Sequence, residues 1–311
     1  MTRYSIYDLE KLSGIKSHTI RIWEKRYGIL KPLRTNTNIR YYSNDDLKRI
    51  LNISVLSQSG IKISVISKLS EQQIHLEIVR LLGKTDHEPV VYKTYMHFMQ
   101  AAALQYDENE FEKNWIKCVK HLNLHITMTR VIYPLLKSVG LMWSVDQMNP
   151  AQEHFLSCLI EKKLMVATNE LGCPNEKKGK YLLFLHEEED HSIPLLFSNY
   201  VLRSHGFKTI YLGSRVPLIN LVEVITSTNP SHLLTFFITK QPHEFFAEYL
   251  SKVKRISFSK TILIGGNPGY VSDLRLSPMI KCIDSIVEFE KYLIKDTQKP
   301  VKQKIKKLHA G

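Results

Sequence analysis

The chain has 311 residues, enough for two or three domains, and carries 43 Lys or Arg against 30 Asp or Glu, a formal net charge of +13. Its N-terminus lacks the apolar core of a signal peptide and no apolar run is long enough to span a bilayer, so we expect a cytoplasmic protein without a membrane partner. The four cysteines form no CxxC pair, which argues against a disulfide framework or a zinc site.

The pattern of residues 15–27 predicts the second helix of a helix-turn-helix. Apolar residues recur at Ile15, Ile20, Trp23 and Tyr27, close to one helical face, after a break at Gly14. The other faces of this segment carry the cations Arg21, Lys25 and Arg26. An apolar seam that packs two short helices, together with a basic face that enters a major groove, is the arrangement that a helix-turn-helix requires.

A short hairpin is predicted after this helix pair. Residues 35–38 are a turn-rich polar run, and Arg40, Tyr41 and Tyr42 follow on a short strand. A hairpin beside a helix-turn-helix is a wing, whose Arg and Tyr side chains reach phosphates or the minor groove. Ser43 then caps a further helix.

Residues 1–72 resemble the MerR family of winged-helix transcription regulators. The match is carried, in order along the chain, by residues 4–6, 12–14, 19–21, 23–24, 26–28, 32, 34 and 40–43. The resemblance implies double-stranded promoter DNA as the partner, read by a dimer or a higher homo-oligomer on paired half-sites. The residues that it assigns to DNA contacts are Thr19, Arg21, Lys25, Arg26, Tyr27, Arg34, Arg40 and Tyr41.

The charge of this block fits a nucleic-acid partner. Residues 1–70 contain thirteen Lys or Arg and five Asp or Glu, which meets the electrostatic requirement for phosphate contact. A small helical domain whose charges are only solvated is the alternative interpretation. The lysine-rich tail, residues 297–311, is either a solvated end or a source of nonspecific DNA affinity.

Residues 75–173 are predicted to form a helical bundle, with helices at about 75–83, 88–105, 108–122, 125–139 and 150–171. Pro150 opens the last helix, at a position where its missing N–H is harmless. Nine residues separate Trp143 from the adjacent pair Glu153 and His154. Taken alone, each is read most simply as a core Trp or as a solvated helix face.

Residues 178–296 alternate strands and helices, which predicts a doubly wound parallel sheet covered by helices. The predicted strands lie at 181–185, 209–212, 233–238, 261–264 and 279–283. Such sheets bind ligands at the carboxyl ends of their strands. The loop after the first strand contains Glu189 and His191, and this spacing suits a metal ligand because the carboxylate orients the ring and raises its basicity. A solvated loop His is the simpler alternative.

The bundle and the α/β region together resemble the cobalamin-binding modules, which have a helical cap and a flavodoxin-like domain. The resemblance implies that His191 is the lower axial ligand to cobalt, in place of the cofactor's own dimethylbenzimidazole, with Glu189 as its partner. It also implies cofactor contacts at Thr235 and, where the nucleotide tail passes close to the backbone, at Gly265 and Gly266. The bundle residues that it assigns to the upper face of the corrin ring are Trp143, Glu153 and His154.

Several positions depart from the family pattern. Pro194 stands where the loop motif has Gly, and Phe236 and Phe237 narrow the predicted pocket of the nucleotide tail. Ser144 stands where many family members have a His directly after the bundle Trp, and a hydroxyl is a poor substitute for imidazole on cobalt. Because of these departures, a regulator whose sensor domain no longer binds its cofactor is an alternative.

The order of the three domains resembles the light-responsive repressors of carotenoid genes, of the CarH and LitR type. In that family, adenosylcobalamin bound in the dark promotes tetramer assembly and operator binding, and light reverses both. We therefore predict a multidomain α and α/β transcription regulator, not an enzyme, that senses cobalamin and controls its own oligomerisation, as a dimer or tetramer, and its promoter binding. The alternatives are a regulator with a degenerate sensor domain, and a corrinoid methyl carrier or mutase subunit.

Overall fold

The computed structural model describes residues 4–35, 37–82, 88–143, 148–172, 174, 179–239, 242–257, 260–266 and 278–297. The chain divides into two units, residues 1–159 and 160–311. The first is helical apart from a short hairpin and the second is an α/β domain, so the predicted fold class is confirmed. The predicted domain bounds 1–72, 75–173 and 178–296 stay a prediction, and the basic tail from residue 298 onward lies outside the described residues. None of the described helices combines the length and the hydropathy that crossing a bilayer requires.

The first unit begins with helices α1 (Ile6–Ser13) and α2 (Ser17–Tyr27), strands β1 (Leu33–Arg34) and β2 (Arg40–Tyr41), and helices α3 (Asn44–Gln58) and α4 (Ile63–Ile66). A capping box starts α1, in which the Ser5 hydroxyl accepts a hydrogen bond from Asp8 N and the Asp8 carboxylate accepts one from Ser5 N. Ser43 and Asp46 form the same box at α3. Gly14 has a φ of 72°, so the turn between α1 and α2 depends on a residue without a side chain.

The rest of the first unit is a helical bundle of α5 (Glu71–Leu82), α6 (Glu88–Leu104), α7 (Glu108–Ile126), a π-helical segment (Thr127–Ile132), α8 (Tyr133–Trp143) and the start of α9 (Pro150–Glu170). The sequence predicts two separate helices at 108–122 and 125–139, but helical structure continues from α7 into α8. A kink marks the predicted break, because Asn123 has a φ of 67° and a ψ of 166°. The Asn123 side chain caps the second stretch, since its oxygen accepts a hydrogen bond of 2.9 Å from Ile126 N.

The second unit alternates β3 (Lys180–Phe184), α10 (Ile193–Ser204), β4 (Lys208–Gly213), α11 (Leu218–Thr228), β5 (His232–Phe237), α12 (His243–Ile256), β6 (Thr261–Gly266), β7 (Ile280–Ile283) and α13 (Ile286–Thr297). The strands pair in parallel in the order β4-β3-β5-β6-β7. The chain goes from β3 to β4 on one side and then to β5 on the other, so the strand order reverses between β3 and β5. The crevice at the carboxyl ends of these two strands is where such sheets bind ligands.

Strand β5 sends its side chains alternately to the two faces of the sheet. Leu233 and Phe237 lie in a buried apolar cluster with side chains of α11 and α12, and Thr235 lies between them on the same face. Phe236 points to the opposite face. Because the central strands are buried on both faces, their sequences are mostly apolar, with Thr235 in the middle of β5, and this pattern predicted them.

Replacing Asn123 with Ala is expected to destabilise the first unit by about 1–3 kcal/mol, because the variant loses the cap and keeps a backbone conformation that only Gly adopts easily. Asn123→Gly is the matched control, since Gly relieves the backbone strain and costs only a few tenths of a kcal/mol as a cap. Denaturant unfolding followed by circular dichroism measures both variants. Equal losses of stability would contradict strain at this kink.

Candidate functional site

Helix α2 carries the predicted DNA-contacting cations. Its anchor is Ile20, which is fully buried. The predicted contact residues of this helix are exposed, namely Arg21, Lys25 and Arg26, or half-buried, namely Thr19 and Tyr27. The Arg26 guanidinium lies 5.4 Å from the centroid of the Tyr27 ring, a cation–π contact that orients both side chains. Sequence reasoning based on charged residues missed Ile22. This side chain is 55% exposed on the same helix and can contact a thymine methyl group.

Glu24 links α2 to the wing. Its carboxylate accepts a hydrogen bond of 2.9 Å from the Tyr42 hydroxyl and lies 3.4 Å from Nε of Arg40. Tyr42 is fully buried, and burial together with this carboxylate raises the pKa of its hydroxyl, which therefore stays protonated and donates. The contact holds the wing beside α2, although Glu24 and Tyr42 are 18 positions apart.

The two other predicted wing residues differ in their surroundings. Arg34 donates to the Asn38 carbonyl at 3.2 Å and to the Asn38 side-chain oxygen at 2.7 Å, so it braces the turn of the wing. Tyr41 is half-buried at the end of β2. A guanidinium has five N–H donors, so Arg34 can hold the turn and contact a phosphate at the same time.

The buried carboxylate of Glu189 lies at the carboxyl ends of β3 and β5. Its Oε2 accepts hydrogen bonds of 2.8 Å from Ile238 N and Thr239 N, and its Oε1 accepts one of 3.0 Å from the Thr239 hydroxyl. Oε1 also accepts from His191 N at 3.1 Å and lies 2.6 Å from His191 Nδ1. Burial raises the pKa of Glu189, but the hydrogen bonds outweigh burial and lower it to about 2. The ionised carboxylate therefore joins the loop after β3 to the loop after β5.

The ring of His191 is held at the rim of this crevice. Its side chain is 57% exposed, whereas that of Glu189 is 0% exposed. Because Nδ1 faces the carboxylate, Nε2 lies on the other side of the ring, and an imidazole supported in this way is a good metal ligand. No group of three or more metal-ligating side chains occurs in the part of the chain that the structure describes.

Two further contacts hold the loop after β3. Asp190 forms an ion pair with Arg215 in the loop after β4, whose Nε donates at 2.5 Å. The Glu187 carboxylate accepts a hydrogen bond of 2.9 Å from Leu218 N at the start of α11. Both contacts are exposed and each contributes little stability, but together they tie two loops at one edge of the sheet. Sequence reasoning missed Arg215 and Thr239, because their partners lie in other loops; the signal available was that parallel strands end at one edge.

The other cofactor contacts predicted for the α/β domain lie on β5 and β6. Thr235 is fully buried, and its hydroxyl has no hydrogen-bond partner among the described residues. A Cβ on Gly265 would lie 2.2 Å from Cε1 of Phe236, and one on Gly266 would lie 2.1 Å from the Phe237 carbonyl oxygen. The packing of β5 against β6 therefore requires both glycines.

The fit to cobalamin differs between the two parts of the site. His191, supported by Glu189, fits an axial ligand to cobalt. The unpartnered Thr235 hydroxyl fits a polar atom of a ligand. The space beside Gly265 is filled by the Phe236 ring, on the face of the sheet opposite to Thr235.

The remaining residues singled out from the sequence lie in the bundle and at α10. Glu153 is half-buried and His154 is exposed, with its Nδ1 3.5 Å from Oε2 of Glu153. Trp143 ends α8, but its side chain lies outside the described residues, as does the whole of Ser144. Pro194 is in the first turn of α10, where a missing N–H is tolerated. The predicted roles of these residues stay predictions.

Known proteins resemble this chain in both units. Residues 4–73 match the MerR HTH family regulatory protein model. The N-terminal domain belongs to the MerR family. The chain is 27% identical to the HTH-type transcriptional repressor CarH of Myxococcus xanthus over 255 residues, which cover 81% of this chain and 84% of that protein. The HTH-type transcriptional repressor CarA of the same organism is 24% identical, and the match covers 84% of this chain and 85% of that protein.

A solved structure has a similar fold. The monomethylamine corrinoid protein of Methanosarcina barkeri aligns with a TM-score of 0.52 and 15% identity, covering 63% of this chain and 95% of that chain. At this identity the likeness shows the fold alone. CarH and CarA are named as transcriptional repressors and not as enzymes, and the prediction of a MerR-type transcription regulator that is not an enzyme is confirmed.

Replacing Glu24 with Ala in the MerR domain is expected to destabilise the domain by about 1–3 kcal/mol, because the buried Tyr42 hydroxyl loses its acceptor. DNA affinity should fall as well, since the wing loses its link to α2. Adding Tyr42→Phe to this variant should recover part of the stability, because no hydroxyl is then left without a partner. Thermal unfolding of the two single variants and the double variant measures the effect, and no recovery would contradict the contact.

Glu189 makes the stability of the α/β unit depend on pH in the acidic range. Its pKa is about 2 in the folded protein against an ordinary 4.5, so its contribution is present above pH 4.5 and is lost as the pH falls toward 2. Glu189→Gln should destabilise the unit by about 1–3 kcal/mol at neutral pH, because an amide oxygen cannot replace an ionised carboxylate with five donors. The difference in unfolding free energy between wild type and variant should shrink on acidification; a constant difference would contradict an ionised Glu189.

Proposed function

We propose that this MerR-type regulator binds promoter DNA through its N-terminal domain and senses a corrinoid through its α/β domain. His191 is the axial ligand to cobalt, Glu189 holds its ring, and occupancy of the site controls oligomerisation and promoter binding. When bound, the corrinoid supplies a cobalt centre whose axial coordination the protein sets. The resemblance to cobalamin modules assigns the upper face of the ring to Trp143, Glu153 and His154.

The observation that carries the proposal is the Glu189–His191 pair at the point where the strand order reverses. The carboxylate is buried, and it holds Nδ1 of His191 at 2.6 Å, which fixes the orientation of the ring. Thr239 supports the same carboxylate from the loop after β5. Burial of a carboxylate is unfavourable unless it is hydrogen-bonded, so this arrangement indicates a His whose orientation matters. The fold shared with a corrinoid protein supports the same ligand class.

The DNA-binding half of the proposal rests on the MerR domain and on the exposed cations of α2. Paired half-sites would be read by a dimer or a tetramer, in which each copy places one α2 in a major groove. CarH and CarA are transcriptional repressors, which supports a role at promoters. Adenosylcobalamin is the proposed cobalamin form, and light is the proposed signal that changes assembly.

The second candidate is a MerR-type regulator whose α/β domain no longer binds a corrinoid and serves assembly alone. Pro194 and the Phe236–Phe237 segment favour it, because they depart from the pattern of the cobalamin-binding modules. The two candidates differ in one observable, the response of the corrin absorption spectrum to the protein.

Titration of the full-length protein into adenosylcobalamin in the dark is expected to change the corrin spectrum, because an imidazole replaces the cofactor's own base on cobalt. His191→Ala should abolish this change without unfolding the domain, since the ring is exposed. His205→Ala is the matched control, because His205 is a half-buried His at the far end of α10. Circular dichroism verifies that each variant is folded.

A spectral change in His191→Ala equal to that of wild type would contradict cobalt ligation by His191. No change in wild type with adenosylcobalamin, hydroxocobalamin or cobinamide would favour the second candidate. Size-exclusion chromatography of the corrinoid-bound protein before and after illumination measures assembly. We expect a change of oligomeric state, and an unchanged elution volume would contradict light as the signal.

A further inference from the structure

We infer that a second copy of this chain docks on the groove between α11 and α12 of the α/β unit, with the two copies related by a two-fold axis. The groove has a volume of about 460 Å³. The inference deepens the oligomerisation part of the proposed function and rests on that part alone. It requires neither a bound corrinoid nor DNA, so the protein by itself is sufficient for the test.

The wall of the groove that α11 forms is apolar and exposed. Ile219 is 83% exposed, and Val222 is exposed one turn further along the helix. Both side chains line the groove, whose opposite wall carries the half-buried ring of Phe245 on α12. Residues three positions apart lie on one face of a helix, so Ile219 and Val222 form one apolar strip. Covering this strip with protein removes apolar surface from water, which favours association.

The charged side chains of the groove are separated by sign along its length. Helices α11 and α12 run in the same direction, because each connects two strands of one parallel sheet. The acidic end lies at the start of α11, where Glu187 accepts a hydrogen bond from Leu218 N and Glu188 is the next residue. The basic end lies at the end of α12, where Arg255 is the last residue but one. The groove is therefore acidic at one end and basic at the other.

Two of these charges have no oppositely charged partner within the described part of the chain. Glu248 and Lys252, in the middle of the groove, form an ion pair with each other at 2.6 Å. The side chains of Glu188 and Arg255 are exposed and form no ion pair with a described residue. A partner that fits this groove must present the two signs in the reverse order. A second copy of the same groove does so when it is turned around.

A two-fold axis across the groove brings opposite charges together. It reverses the direction of the second copy, so the acidic end of each groove faces the basic end of the other. Glu188 of one copy then lies near Arg255 of the other, and this pair occurs twice in the dimer. Ile219 of each copy covers the apolar wall of the other. A parallel arrangement would bring like charges together, which is unfavourable.

Sedimentation velocity of the full-length protein without corrinoid, in the dark, measures the dissociation constant of the dimer. We expect wild type to form dimers and Ile219→Glu to raise the dissociation constant about ten-fold, because a carboxylate covered within the apolar strip loses its hydration. Asn220→Glu is the matched control, since Asn220 is exposed, is adjacent to Ile219 and does not line the groove. It should leave the dissociation constant unchanged.

A charge exchange tests the two-fold arrangement. Glu188→Arg and Arg255→Glu should each weaken association about ten-fold, because each brings like charges together at both ends of the dimer interface. The double variant should recover most of the wild-type affinity, since the pair forms again with its signs exchanged. Loss of folding cannot produce this recovery, and circular dichroism verifies that each variant is folded.

The outcomes separate this inference from the proposed function. A wild type that stays monomeric at every concentration, equal dissociation constants for Ile219→Glu and Asn220→Glu, or a double variant no better than the single ones would overturn the docking. Absorption spectra of the same proteins with adenosylcobalamin test the corrinoid part of the proposed function. No spectral change in a wild type that dimerises through the groove would overturn that part and leave the docking in place.

Discussion

The buried carboxylate of Glu189 is the contact on which the candidate site at the strand ends depends. It lies where the strand order reverses, and it accepts hydrogen bonds from both loops that border the crevice. It holds the exposed ring of His191 through Nδ1. Because its donors are backbone and side-chain groups of the protein and not solvent, the carboxylate stays ionised, and the depressed pKa of Glu189 records this stabilisation.

A carboxylate has the same role in the N-terminal domain. Glu24 on α2 accepts a hydrogen bond from Tyr42 and lies close to Arg40, so it connects the recognition helix to the wing. In each case a carboxylate joins two segments that are distant in sequence and positions an exposed side chain, Arg40 in one and His191 in the other. The apolar core makes the fold, and these few polar contacts set the geometry of the functional surfaces.

Local patterns predict much of this chain. Ser43 followed by acidic residues predicts the cap of α3, and the structure has a capping box there. Apolar runs predict β3 and β5, because strands buried on both faces need no polar alternation. A break near Asn123 is also predicted, but local sequence does not distinguish the end of a helix from a capped kink after which the helix continues.

Contacts across the sheet are not predictable in this way, because they depend on which strands are neighbours and in what register. Thr239 supports Glu189 because β5 lies beside β3, although 50 positions separate the two residues. Gly265 can be read from the sequence as a gap for a ligand, whereas the register of β5 and β6 places the Phe236 ring in that gap. The position of the candidate site at the strand ends could be predicted, and the packing of Phe236 against Gly265 could not.

Control of DNA binding through the His191 site is tested most directly by the affinity of the full-length protein for promoter DNA with and without a corrinoid. Fluorescence anisotropy with a fragment that the protein selects from genomic DNA gives the dissociation constant in the dark for wild type and for His191→Ala. We expect the corrinoid to change the affinity of wild type several-fold and to leave that of His191→Ala unchanged. The same change in both proteins, or none in a wild type whose spectrum shows bound corrinoid, would contradict control of DNA binding through the His191 site.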